Sequence, residues 1–203
     1  LYNTLTFFNL IILNVCFVSA QQNKKNNLPI GVFDSGTGGL TVLEAMLNLD
    51  AFNNQTGKPG PDGKPDFERE YFQYLADQAN MPYGNYAAEN KTKLLQEHVI
   101  KNMDFLLKQA YDAPAAGSNK EGVKMLVLAC NTATAYALNE VKEFSKQQDE
   151  NIPVVGVINA GVKAALAYQQ SHQKGTIGVF ATAGTVASDG YPKTIRSMAK
   201  QLN

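Results

Sequence analysis

From residue 29 onward, short apolar runs of strand length alternate with segments whose apolar residues recur at helical spacing. The runs are residues 29–33, 71–75, 123–129, 154–158 and 176–180. Between them, Leu40, Leu43 and Leu47 mark one helix. Leu95, Val99, Met103 and Leu106 mark a second, and Ala137, Val141 and Phe144 a third. A parallel pair of strands needs a crossover between its members, and a helix is the usual one. Five strand–helix alternations therefore predict an α/β fold with a mainly parallel sheet. Right-handed crossovers would place the helices on both faces. The run 123–129 is apolar apart from Lys124, as a strand covered on both faces should be. Residues 51–66, rich in Gly, Pro, Asn and Lys, and residues 113–122 lack apolar periodicity and read as exposed loops.

The beginning of the chain differs from the rest. Residues 5–18 are strongly apolar, but the run is shorter than the ~20 residues of a membrane-spanning helix. Val18-Ser19-Ala20 then presents small residues of the kind a signal peptidase cuts after, and a polar stretch follows. This predicts a signal peptide over 1–20, a polar linker over 21–28, and an exported protein, periplasmic or secreted. The rival reading is an uncleaved N-terminal membrane anchor. The chain opens on Leu1 and stops at Asn203 within a helical pattern, and so reads as a fragment. Cys16 would leave with the signal, making Cys130 the one thiol and excluding an internal disulfide. Eighteen basic residues balance eighteen acidic ones, which gives no electrostatic case for nucleic acid or an anionic membrane surface.

In a parallel sheet, ligands bind beyond the carboxyl ends of the strands. Asp34-Ser35-Gly36-Thr37-Gly38-Gly39 follows the first run. Asp77 and then Met81-Pro82-Tyr83-Gly84 follow the second, and Cys130-Asn131-Thr132 the third. Asn159-Ala160-Gly161 follows the fourth, and Thr182-Ala183-Gly184-Thr185 the fifth. Cys130 falls where a strand meets a helix starting near Thr132, and a helix N-terminus favours the thiolate. Position alone weighs this equally against an inert packed cysteine. Asp34 could orient or deprotonate a neighbour, while Ser35 and the glycines could bind a carboxylate; an N-cap with a tight turn is the simpler alternative. The glycines form neither a Walker loop nor a dinucleotide fingerprint. His98 and His172 lack metal-ligand partners at suitable spacing and read as solvated, on a helix face and in a loop. Asn54-Gln55-Thr56 and Asn90-Lys91-Thr92 match the glycosylation pattern, one frequent by chance.

Taken together, these segments resemble the glutamate racemases of the aspartate/glutamate racemase superfamily. Ile30-Gly31-Val32-Phe33-Asp34-Ser35-Gly36 with Gly38-Gly39-Leu40-Thr41-Val42 resembles their opening, and Pro82-Tyr83-Gly84 their second motif. Leu126-Val127-Leu128-Ala129-Cys130-Asn131-Thr132-Ala133-Thr134-Ala135 is similar to their first catalytic-cysteine motif. Ile152-Pro153-Val154-Val155-Gly156-Val157-Ile158 and Ile177-Gly178-Val179 through Thr182 and Thr185 follow in order. The resemblance implies two similar α/β lobes with mainly parallel sheets and the active site between them. The first lobe would occupy residues 29–158, and residues 159–203 would start a truncated second. It also implies racemisation by two cysteines, without metal, pyridoxal phosphate or any other cofactor.

On this reading Cys130 is one catalytic base and Asp34 assists it, while Ser35, Tyr83, Gly84, Asn131, Thr132 and Thr185 hold the amino acid. The partner is a small-molecule substrate, glutamate or aspartate, with a homodimer as one open assembly state and no stable membrane association after signal cleavage. The family's second Cys-Thr-His motif is not found, so the fragment alone is expected to be inactive. The family usually has an acidic residue or Gln, then Pro-Gly, where this chain has Asn159-Ala160-Gly161. Ala181 replaces a glycine, and the loop 51–66 is longer than usual. Alternatives are hydantoin racemisation, maleate isomerisation or decarboxylation in the same superfamily, or a non-catalytic periplasmic amino-acid-binding protein.

Overall fold

A computed structural model describes residues 27–108, 122–148, 152–172 and 175–202. The expected signal peptide and nearly all of the loop over 113–122 lie outside the described residues. Four strands form one parallel sheet: β1 (Ile30–Asp34), β2 (Phe72–Ala76), β3 (Met125–Leu128) and β4 (Val154–Gly156), in the order β2-β1-β3-β4. The helices are α1 (Gly39–Leu47), α2 (Gly84–Ala88), α3 (Thr92–Lys108), α4 (Asn131–Gln147), α5 (Val157–His172), α6 (Ala183–Ala187) and α7 (Gly190–Leu202). No helix among the described residues is long and apolar enough to cross a membrane.

Alternation along the strands builds two cores, because successive side chains leave opposite faces of a sheet. Ile30 and Val32 of β1 and Met125 and Val127 of β3 pack with Met46 of α1 and with Val157, Ala160 and Ala164 of α5. On the other face, Phe33, Leu126 and Leu128 meet Leu95, Val99, Met103 and Leu106 of α3 and Ala133, Ala137 and Val141 of α4. The chain leaves β1 toward β2 through α1, then reverses past β1 to β3 through α3. The reversal sends the connecting helix to the opposite face, as crossovers of constant hand require. Lys124, the interruption in the third run, is buried and paired with Glu70. Its ammonium has a carboxylate partner, which a buried charge requires.

Several expectations are corrected. The apolar run 176–180 forms no strand: residues 175–182 have no regular structure, and Phe180 is fully exposed. An extended segment needs a neighbour for its backbone donors and acceptors, and none of the described strands flanks it. The fourth strand ends at Gly156, and Val157 already begins α5. Ile158 therefore packs from a helix, against Val162, Leu166 and residues of α7. His172 ends α5 instead of lying in a loop, and its ring stacks on Tyr168 one turn earlier at a centroid distance of 4.0 Å. His98, half-buried, meets the edge of Tyr86. The loop over 51–66 is ordered by carboxylates: Asp66 accepts from the backbone N–H groups of Ala51 and Phe52, and Asp50 from those of Asp62 and Gly63. That loop is not wholly exposed, since Phe52 joins the first core.

Candidate functional site

The sheet changes winding direction between β1 and β3, and a crevice opens there at the carboxyl ends of the strands. Two backbone bonds hold its floor: Ala129 N–H donates to Phe33 O at 2.8 Å, and Asp77 N–H to Asp34 O at 3.0 Å. The result is a cavity of about 470 Å³. Asp34, Ser35, Tyr83, Gly84, Cys130, Asn131, Thr132 and Thr185 all line it. These are all of the residues to which the resemblance gave a catalytic or substrate-holding role, drawn from four separate stretches of chain.

Cys130 is the N-cap of α4, extended in backbone, with the Ala133 N–H donating to its sulfur at 3.4 Å. The Ser35 hydroxyl lies 3.4 Å from the same sulfur. Burial pushes the thiol above its ordinary pKa; the Ser35 and Ala133 contacts pull it down, and the Asp34 carboxylate adds to the rise. The expectation that the helix N-terminus favours the thiolate is thus outweighed by desolvation. Desolvation makes the ionised form of this thiol costly and, once made, strongly basic.

Asp34 is buried, and its Oδ2 accepts from the Gly39 N–H at 2.8 Å, which ties the carboxylate to the first turn of α1. Gly39 is required there: a Cβ would stand 2.7 Å from that of Asp34 and 2.9 Å from that of Ala129. Tyr83 differs from the role its motif implies. Its hydroxyl donates to Asp77 Oδ2 at 2.7 Å, and Asp77 also accepts from the side-chain amides of Asn80 and Asn102. The phenol is therefore committed to a buried carboxylate. Burial, and then Asp77, raise its pKa far above that of a free tyrosine.

The opposite wall is built from threonines. Thr182 caps α6 by accepting from the Thr185 N–H, and its hydroxyl donates to Thr185 Oγ1 at 3.1 Å. Thr185 Oγ1 in turn lies 3.1 Å from Thr132 Oγ1. Sequence reasoning missed Thr182 and Tyr191 as lining residues, although Thr182 opens the quoted motif. It also placed Asn159 at the site by analogy with the other strand ends. Because β4 stops early, Asn159 falls in the first turn of α5 and faces a separate groove between α4 and α7.

Fold and site define an α/β protein whose cavity, at the switch point of a parallel sheet, surrounds one thiol with carboxylate, hydroxyl and amide groups. No family model matches the sequence. The glutamate racemase of Levilactobacillus brevis is 38% identical over 173 residues, 85% of this chain and 48% of that protein. That of Aquifex pyrophilus is 36% identical over 169 residues, 83% of this chain and 50% of that one. Among solved structures, Francisella tularensis glutamate racemase in complex with D-glutamate superposes with a TM-score of 0.58 at 30% identity. The match covers 85% of this chain and 49% of that one. The Thermus thermophilus enzyme in complex with β-chloro-D-alanine gives 0.56 at 31%, covering 85% and 50%. The chain is homologous to the glutamate racemases, and it spans about half the length of the curated relatives it matches.

Proposed function

We propose that the complete protein is a cofactor-independent glutamate racemase in which Cys130 is one of two proton-transfer groups. The observation that carries this reading is the convergence of Asp34, Ser35, Tyr83, Gly84, Cys130, Asn131, Thr132 and Thr185, from four separate stretches of chain, on one cavity around a buried thiol. In the proposed step, Cys130 as thiolate removes the α-proton from one face of the amino acid. The C–H pair becomes a carbanion conjugated with the carboxylate, and a second thiol on the opposite face returns a proton. Microscopic reversibility exchanges the two roles for the other enantiomer.

The local chemistry suits such a step. Charge that develops on the substrate carboxylate needs fixed donors. Thr132, Asn131 and the Ser35 hydroxyl lie along the cavity for that purpose. Asp34, immobilised by Gly39, lies close enough to Cys130 to disfavour its thiolate and so to strengthen it as a base. Glutamate is favoured over aspartate by homology; the reaction type rests on the thiol.

Chiral chromatography of both enantiomers of glutamate and aspartate, on the complete protein, tests this reading. Cys130→Ala is expected to abolish interconversion while leaving the circular dichroism spectrum unchanged. Cys130→Ser is expected to be severely impaired, because a hydroxyl is a far weaker acid than a thiol. Interconversion at the wild-type rate by Cys130→Ala would refute the assignment.

A further inference from the structure

Tyr191 belongs to none of the motifs, yet it reaches the cavity from α7. Its ring packs in the small apolar cluster that joins α7 to Ile158, Val162 and Leu166 of α5, so the position of the phenol is set by the core beneath it. The hydroxyl donates to Oδ1 of Asn131 at 2.7 Å, across 60 residues of chain. Asn131 is the first residue of α4, next to Cys130, and also lines the cavity. Its Nδ2 has no protein partner among the described residues.

A side-chain amide carries an acceptor at one end and two donors at the other. The terminal torsion of asparagine is broad and roughly two-fold, so an untethered Asn131 could offer either end to a ligand. A phenolic donor on Oδ1 removes that choice. We infer that Tyr191 is a positioning residue, which holds the Asn131 amide so that its N–H donors, and not its carbonyl, are presented to the ligand beside Cys130. This inference rests on the amino-acid racemase reading for the identity of the ligand group, an oxygen acceptor such as the substrate carboxylate. Burial keeps the Tyr191 phenol above its ordinary pKa, hence a donor throughout the neutral range.

The test uses Tyr191→Phe in the complete protein, a change that keeps the ring and removes only the hydroxyl. With glutamate as substrate, KM is expected to rise about three- to tenfold, the range of one net hydrogen bond, with a smaller change in kcat. In an Asn131→Ala background the same substitution should leave KM where it was. A role in packing alone would lower the unfolding temperature without this dependence on Asn131. An unchanged KM in Tyr191→Phe, or effects of the two substitutions that multiply, would overturn the inference. A second readout does not need turnover: the side-chain amide resonance of Asn131, identified by its loss in Asn131→Asp, should shift in Tyr191→Phe. If the wild type interconverts no amino acid, the racemase reading falls. The resonance still decides whether Tyr191 holds the amide, and an unshifted one overturns the inference.

Discussion

At Cys130 two opposing effects meet on one atom. The first turn of α4 and the Ser35 hydroxyl stabilise a negative sulfur, while burial and Asp34 destabilise it. The sequence makes the first effect visible, because a cysteine between an apolar strand and a helical pattern is a natural N-cap. It hides the second, because depth depends on how Asp34, Ser35 and Tyr83 close around the thiol. Desolvation is the larger effect, so the alkylation rate of Cys130 by iodoacetamide, measured with Cys16→Ser, should still be rising at the pKa of a free thiol. Its midpoint should lie above that value. The sign follows from charge: alkylation needs the thiolate, and a raised pKa moves thiolate formation to higher pH. A midpoint below that of a free thiol would mean that the helix N-terminus prevails.

The elements show where pattern reading stops. Helices α3 and α4 were legible because their buried residues recur every three or four positions, and β1 to β3 because their apolar runs are bounded by turn residues. Helix α1 was placed by Leu40, Leu43 and Leu47, yet Leu40 and Leu47 are exposed and Met46 is the side chain it buries. The run over 176–180 has the same composition and forms no strand, since strand formation depends on a neighbour and not on the run itself. The short helix α6 was legible as a motif but not as a wall. Its position depends on close contact with α2: a Cβ on Gly184 would stand 2.6 Å from the carbonyl oxygen and 2.9 Å from the Cα of Gly84. Backbone cannot yield as a side-chain tip does. Gly184→Ala is therefore expected to push α6 away from α2, stretch the Thr182–Thr185–Thr132 hydroxyl chain and lower stability by about 1–3 kcal/mol, the usual range for overpacking. Differential scanning calorimetry measures the loss. A melting temperature equal to wild type would show that the two helices part without cost.

Across the whole molecule, strand order matters more than any single motif. Because β1 lies between β2 and β3, the turn carrying Asp34 and Ser35 lies beside the turn carrying Cys130. The parallel class could be read from the alternation of runs, and the order β2-β1-β3-β4 could not, because it is fixed by which helix covers which face. One side of the cavity is open: Phe180 is fully exposed and Met81 half exposed, and both line it. Water there weakens every charge interaction that a carbanion would need. Racemisation also requires a proton donor on the face opposite Cys130, which is the one free cysteine among the described residues. Ordering a substrate against a single wall would have to offset its entropy loss with fewer contacts. A protein made of residues 21–203 is therefore expected to show no interconversion of glutamate or aspartate enantiomers, with Cys130 still open to alkylation. Chiral chromatography after prolonged incubation, with metals and pyridoxal phosphate excluded, measures this. Robust interconversion would mean that a group other than a second thiol serves the opposite face, and the two-thiol mechanism would have to be abandoned.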